Sequence, residues 1–129
     1  MSYASSADRY RQTQILSASP SQLLLIVYDF LAASLQRTRL AIERNDPELR
    51  WRAIDAACRA VSELLCTVDQ ERGGPLAKQL VALYSYLLGE FMVITGPADL
   101  PKLERLTGLV MQLRGAFVGA AARQAEAVS

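Results

Sequence analysis

The sequence contains no histidine at all, which removes the commonest general base and the commonest transition-metal ligand together. The carboxylates do not restore that chemistry. Asp29, Glu43, Asp55, Glu63 and Glu90 are scattered, without the paired carboxylate and histidine pattern of a di-iron helical bundle, and read as solvated surface. Ser62, Ser85, Cys58 and Cys66 have no recognisable base to activate them, so no nucleophilic triad is indicated. Gly73-Gly74 lacks the spacing and the Lys-Ser/Thr end of a phosphate loop and fits a corner between helices better. No catalytic residue, metal site, cofactor or small-molecule substrate is expected.

Long apolar runs are also missing. The longest, Leu23 to Tyr28, falls far short of the ~18 to 20 residues that cross a bilayer. The opening stretch, Met1 to Arg9, has no charged segment followed by an apolar one and no cleavage signature, which predicts a cytoplasmic protein without membrane insertion. Lysine occurs only at positions 78 and 102, and 14 basic residues against 13 acidic ones leave a net charge of +1. That balance offers no electrostatic grip on nucleic acid. The predominance of arginine suits protein surfaces, since a guanidinium is weakly hydrated and forks onto carboxylates. Cys58 and Cys66 fall eight positions apart in one predicted helix, ~12 Å along its axis, beyond the roughly 7 Å a disulfide spans. Both are predicted to be core thiols of a reducing compartment.

What the sequence does have is hydrophobic content, 51% of 129 residues, with only seven glycines and five prolines. One domain of this size can bury a core without metals or disulfides. Ser19-Pro20-Ser21-Gln22 carries a capping box with proline at the first helical position, and Leu24, Leu31, Leu35, Thr38 and Ile42 form a stripe that predicts a helix to about Arg44. Asp46-Pro47 opens a second helix, in which Trp51, Ile54, Cys58, Val61, Leu65 and Val68 follow three-four spacing as far as Gly73-Gly74. Leu76, Leu80, Leu83, Leu87, Phe91 and Ile94 mark a third, reaching about Thr95. Asp99 can cap a fourth, with Pro101 in its first turn and Leu103, Leu106, Val110, Leu113, Phe117 and Ala120 on its inner face. Short connections between long helices favour antiparallel neighbours. The expected architecture is an all-α, antiparallel up-down four-helix bundle over residues 19–129, preceded by a polar N-terminal arm over residues 1–18.

Two features exceed what a plain bundle needs. Leu23 to Tyr28 is apolar at every position, and successive steps of ~100° carry those side chains around the whole axis. From the residues alone this turn either lies wholly at the centre of the bundle or keeps apolar surface for a partner, and the wheel does not settle whether Leu24 and Val27 face inward while Leu23, Ile26 or Tyr28 reach a groove. In the last helix Gly108, Gly115 and Gly119 lie at seven- and four-residue steps on one strip. Such a strip admits a close neighbour, expected to be another helix of the bundle, with a helix of a bound partner as the alternative.

Several stretches, taken in order, resemble the FliS family of flagellin export chaperones. They are Tyr10, Gln12, Gln14-Ile15-Leu16, Ala18-Ser19-Pro20, Leu23, Leu25 and Tyr28-Asp29, then Glu63-Leu64, Asp69, Gly73-Gly74, Ala77, Leu80 and Leu83-Tyr84-Ser85-Tyr86, then Leu113-Arg114 and Phe117. The resemblance runs from about residue 10 to 117. It departs at Ser85, where the family often has an acidic residue, and at Phe117, where it usually has tryptophan. It implies a cytoplasmic chaperone that binds the disordered C-terminal segment of flagellin, prevents premature polymerisation and delivers it to the flagellar export apparatus. On that basis Tyr10, Ile15, Leu16, Leu23, Ile26, Tyr28, Leu80, Leu83, Tyr84 and Leu87 are the candidate partner-binding residues. Tyr10 is expected to rest on apolar surface until the partner arrives.

Two alternatives stand beside this. An apolar surplus also suits self-association in an oligomeric structural or adaptor bundle. Small all-helical chorismate mutases bind a dianion through Arg, Lys and Gln without histidine, and Arg37, Arg44, Arg52, Arg59 and Gln79 are available. Arg52 and Arg59, however, follow the core positions Trp51 and Cys58 by one residue, which sets them at the boundary or outside.

Overall fold

A computed structural model describes residues 19–128, together with Ser6 and Arg9. The described chain folds as four helices, α1 (Pro20–Glu43), α2 (Pro47–Cys66), α3 (Gly74–Met92) and α4 (Leu100–Val128), with a 3-10 turn, Pro97–Asp99, leading into the last. No strand occurs among the described residues, and the all-α four-helix bundle expected from the periodicity is the fold found. The predicted arm, apart from Ser6 and Arg9, lies outside the described residues.

The caps explain where the elements begin. Ser19 Oγ accepts from the Gln22 amide at 3.2 Å while Gln22 Oε1 accepts from the Ser19 amide at 2.9 Å, completing the capping box of α1. Asp46 accepts from the Leu49 amide at 3.1 Å and starts α2. Asn45, at φ 53, makes the intervening turn, a conformation asparagine tolerates better than most residues.

Two boundaries depart from expectation. Helix α2 stops at Cys66 rather than at the glycine pair. The Thr67 hydroxyl donates to the Leu64 carbonyl at 2.6 Å, and the Asp69 carboxylate then accepts from the Glu71 and Arg72 amides, each at 3.1 Å. These local bonds compete with continuation of the helix. The corner glycines each answer a different need. A Cβ on Gly73 would stand 2.5 Å from the Ala77 Cβ and 2.7 Å from the Asp69 carbonyl oxygen, whereas Gly74 has open space but φ of +57. At the far turn Asp99 binds backwards instead of capping α4. Its Oδ2 accepts from the Thr95 and Gly96 amides at 2.8 and 3.2 Å, and these bonds hold its pKa below the ordinary value.

Close backbone contact follows the order α3, α2, α1, α4. Helices α1 and α4 run antiparallel, with Asp29 against Arg114 and Arg39 near Glu104. The core is built from Leu31, Leu35 and Ile42 of α1, Val61 and Leu64 of α2, Leu87 and Phe91 of α3, and Leu103, Leu106 and Val110 of α4. At about 25 cal/mol per Å2 of apolar surface, each such side chain contributes roughly 1.5–3 kcal/mol when fully buried.

The inner face of α2 differs from the heptad reading. Ala53, Ala57, Ala60, Val61 and Leu64 are buried, Ile54, Cys58 and Leu65 are half-buried, and Trp51 is 66% exposed. Ala41, Thr38 and Ser34 of α1, the helix in closest contact with α2, are buried as well. The Ser34 and Thr38 hydroxyls are satisfied within α1, donating to the Phe30 and Ser34 carbonyls. Small residues on both sides let the helices approach closely, and the bulky residues move to the flanks. The core on α3 likewise turns toward Ala77, Tyr84, Leu87 and Phe91, leaving Leu76 exposed. Cys66, expected in the core, is exposed, and Cys58 is half-buried; both are free thiols. A methyl group added at Gly108 or Gly115 would find nothing within 4 Å, and one at Gly119 would meet only Arg123 of its own helix. Among the described residues no bundle helix packs on that strip, so the expected internal neighbour is not found there.

Candidate partner-binding surface

Tyr28 is the pivot of the site. It sits at the end of the apolar turn with no exposed surface, and its hydroxyl shares a 2.6 Å hydrogen bond with that of Tyr84 on α3. The Phe117 ring of α4 lies 5.4 Å from the Tyr28 ring, tilted by 37°. One residue on, the Asp29 carboxylate accepts from the Arg114 guanidinium at 2.5 Å. Burial, with the shared hydrogen bond and the nearby Tyr84 phenol, pushes the Tyr28 phenol well above its ordinary pKa. Burial likewise raises Tyr84, opposed by the bond to Tyr28. Both stay neutral across the physiological range. This knot ties α1, α3 and α4 together where α3 and α4 are not in close backbone contact; farther along, Lys102 and Glu90 join them at 3.0 Å.

Two apolar grooves open beside the knot, and Leu24 lines both. One, of about 450 Å3, runs between α1 and α2 and is lined by Pro20, Leu23, Leu24, Ile26, Val27 and Glu63, with Thr67 at its end. The other, of about 280 Å3, lies between the start of α3 and the outer half of α4; Val68, Leu76, Leu80 and Phe117 give it apolar walls, and Tyr84 lines it from the core side. The grooves exist because Leu23 to Val27 are all half-buried. One helix can turn only part of its surface inward, so a turn apolar all round leaves apolar faces on both flanks.

Of the residues singled out from the sequence, Leu23 and Ile26 line the first groove and Leu80 and Tyr84 the second. Leu83 is half-buried outside both. Tyr28 and Leu87 are fully buried and belong to the core, because the Tyr28 hydroxyl finds its partner inside and Leu87 falls on the inner face of α3. Tyr10, Ile15 and Leu16 lie outside the described residues. Leu24, Val27, Leu76 and Phe117 were missed as lining residues: their helical spacing marks them as core, and spacing alone does not reveal that a neighbour stops short.

The stretches that prompted the family resemblance are thus neighbours in space: Tyr28-Asp29, Tyr84, and Arg114 with Phe117 meet across up to 89 positions of sequence. Residues 3–124 match the family described as flagellar protein FliS. The chain belongs to the FliS family. It is 30% identical over 107 residues to the flagellar secretion chaperone FliS of Salmonella typhimurium, covering 82% of this chain and 79% of that protein. It is 25% identical over 108 residues to the flagellar secretion chaperone FliSB of Pseudomonas aeruginosa, covering 84% and 86%. The chain is accordingly a flagellar export chaperone and not an enzyme. The mutase alternative loses its residues as well, since Arg52 and Arg59 are exposed and paired with Glu48 and Asp55 of their own helix. Among the described residues no helix is long and apolar enough to cross a membrane.

Proposed function

We propose that this FliS protein is the cytoplasmic chaperone of a flagellin. It binds the disordered C-terminal segment, keeps it from polymerising early and delivers it to the flagellar export apparatus. The observation that carries this reading is the pair of apolar grooves on either side of Leu24. A disordered amphipathic segment gains affinity by laying apolar helix faces into such grooves, and a bundle stable on its own has no need to leave them open. Residues 1–18 join the bundle at Ser19, next to Pro20 in the larger groove. In this proposal they cover the apolar surface, through Tyr10, Ile15 and Leu16, until flagellin arrives.

Mixing the protein with a flagellin C-terminal peptide and measuring mass in solution tests the reading. A monomer that becomes a one-to-one complex supports it, and a stable homodimer indifferent to the peptide supports the oligomeric adaptor instead. Ile26→Asp buries an unpaired carboxylate in the groove and is expected to weaken peptide binding by at least about tenfold, ~1.4 kcal/mol, while the variant stays folded. Leu83→Asp is the companion test on α3. Removing residues 1–11 should leave affinity unchanged or raise it; a loss of more than about tenfold would place the arm in the complex itself.

A further inference from the structure

At the opposite end of the bundle a cleft of about 400 Å3 lies between the first half of α2 and the end of α3. Ile94 is buried there and Ile54 and Cys58 are half-buried, while Trp51 and Met92 stand 66% and 69% exposed at its edges. Large apolar side chains are seldom left together in this way without a partner. Burial, and then the neighbouring Asp55, push the Cys58 thiol above its ordinary pKa, so the thiol adds no charge to the apolar floor of the cleft. Glu63, in the larger groove, is five residues from Cys58, the nearest lining residue of the cleft on α2, which sets it about 7.5 Å along the helix and roughly 140° around it. The two sites are separate surfaces.

Charge decides the occupant. Asp55 at the cleft is neutralised by Arg59 at 3.0 Å. Arg50, also lining it, makes no ion pair among the described residues. A second copy docking here by two-fold symmetry would bring an identical face and a second Arg50 with it. An occupant with a carboxylate would pair that arginine bidentately. Trp51 to Cys58 spans two helical turns, about 10 Å, the footprint of apolar anchors at i, i+3 or i+4, and i+7 of a docked helix.

We propose that the Trp51 cleft is a second docking site, which receives an acidic amphipathic helix of a protein other than flagellin while the grooves beside Leu24 are occupied. Trp51 is the chain's single tryptophan, so its fluorescence reports on this cleft. The probe is a synthetic tryptophan-free helical peptide with leucines at i, i+3, i+4 and i+7 flanked by glutamates; the control carries lysines in place of the glutamates. The glutamate peptide is expected to shift Trp51 emission to the blue and to bind at least about tenfold tighter than the control, with a tryptophan-free flagellin C-terminal peptide present or absent. Arg50→Gln should abolish the preference and Arg50→Glu reverse it, each checked for an unchanged melting profile; the Gln variant decides the matter if the Glu variant does not fold. Equal affinity for the two peptides, or no binding of either, overturns the proposal. So does a blue shift that grows with protein concentration alone, the mark of a second copy. Displacement of the glutamate peptide by the flagellin peptide would make the cleft part of the flagellin site, and failure of flagellin to bind would leave this result standing by itself.

Discussion

The two halves of α1 are made of different material and end up doing different jobs. From Ser34 to Ile42 the inward positions include Ser34, Thr38 and Ala41, and those of the neighbouring α2 include Ala53, Ala57 and Ala60, all buried. From Leu23 to Val27 every residue is bulky and every one is half-buried. Small side chains close the interface, whereas bulky ones around the full circumference cannot all be covered, and grooves remain on both sides of Leu24. In a four-helix bundle, then, apolar content and burial part company when the apolar residues leave one face.

The largest effects should come from confusing the two halves. Tyr28→Ala, at their boundary, removes a fully buried ring and is expected to cost about 3–5 kcal/mol in urea unfolding. Ile26→Ala, two residues earlier in the open half, should cost under about 1.5 kcal/mol while reducing flagellin-peptide binding. Equal costs would mean that the groove is closed. In the small-residue half, Ala57→Leu forces α1 and α2 apart and should destabilise by about 1–3 kcal/mol, whereas Ser21→Leu, exposed at the open end, should change stability by less than about 0.5 kcal/mol.

The tyrosine knot gives the next test. Tyr28→Phe leaves the buried Tyr84 hydroxyl without its partner and should cost about 1–3 kcal/mol, while the double change to phenylalanine should cost less than the sum of the single ones. Additive costs would show that the 2.6 Å bond is not maintained. The pH dependence follows in sign. Both phenols are raised in the folded protein, so their contribution is fully present below the unfolded phenol value of about 10 and is lost as pH rises above it. Chemical unfolding between about pH 9 and about 11 should reveal this loss in the native chain and not in the double phenylalanine variant. A smaller effect than that of the tyrosines belongs to Asp29 and Arg114, whose side chains are 59% and 33% exposed. A double-mutant cycle on the pair should give about 0.2–1 kcal/mol, falling with added salt.

Caps and corners were legible because their chemistry is local: Ser19 with Gln22, Asp46 with Pro47, and the Gly73-Gly74 corner need only near neighbours. The face of α2 was not. Periodicity weights bulk, so it selected Trp51, while the true inward residues are alanines whose small size, rather than hydropathy, draws α1 in. Asp99 illustrates the same boundary between local and directional information. A carboxylate beside a proline marks a turn, but it does not say that the acceptor will face back to Thr95 and Gly96. Of the site, Leu23, Ile26, Leu80 and Tyr84 could be named from the sequence, whereas Tyr28 and Leu87 could not be separated from the groove without knowing where the neighbouring helices end.

The open glycines of α4 carry a consequence in time rather than in space. Gly108, Gly115 and Gly119 each forgo about 1 kcal/mol of helix propensity relative to alanine, and among the described residues no neighbouring helix packs against them to offset it. Past Phe117 the apolar residues are mostly alanine, with valine the only bulky type to anchor the helix. Opening of α4 should therefore begin at its C-terminal turns and move inward until it meets the Tyr28–Phe117 contact. Backbone amides would exchange with solvent deuterium first beyond Phe117 and last around Leu103 and Leu106, so that one helix carries a gradient of lifetimes from its C-terminal turns to its anchored ones.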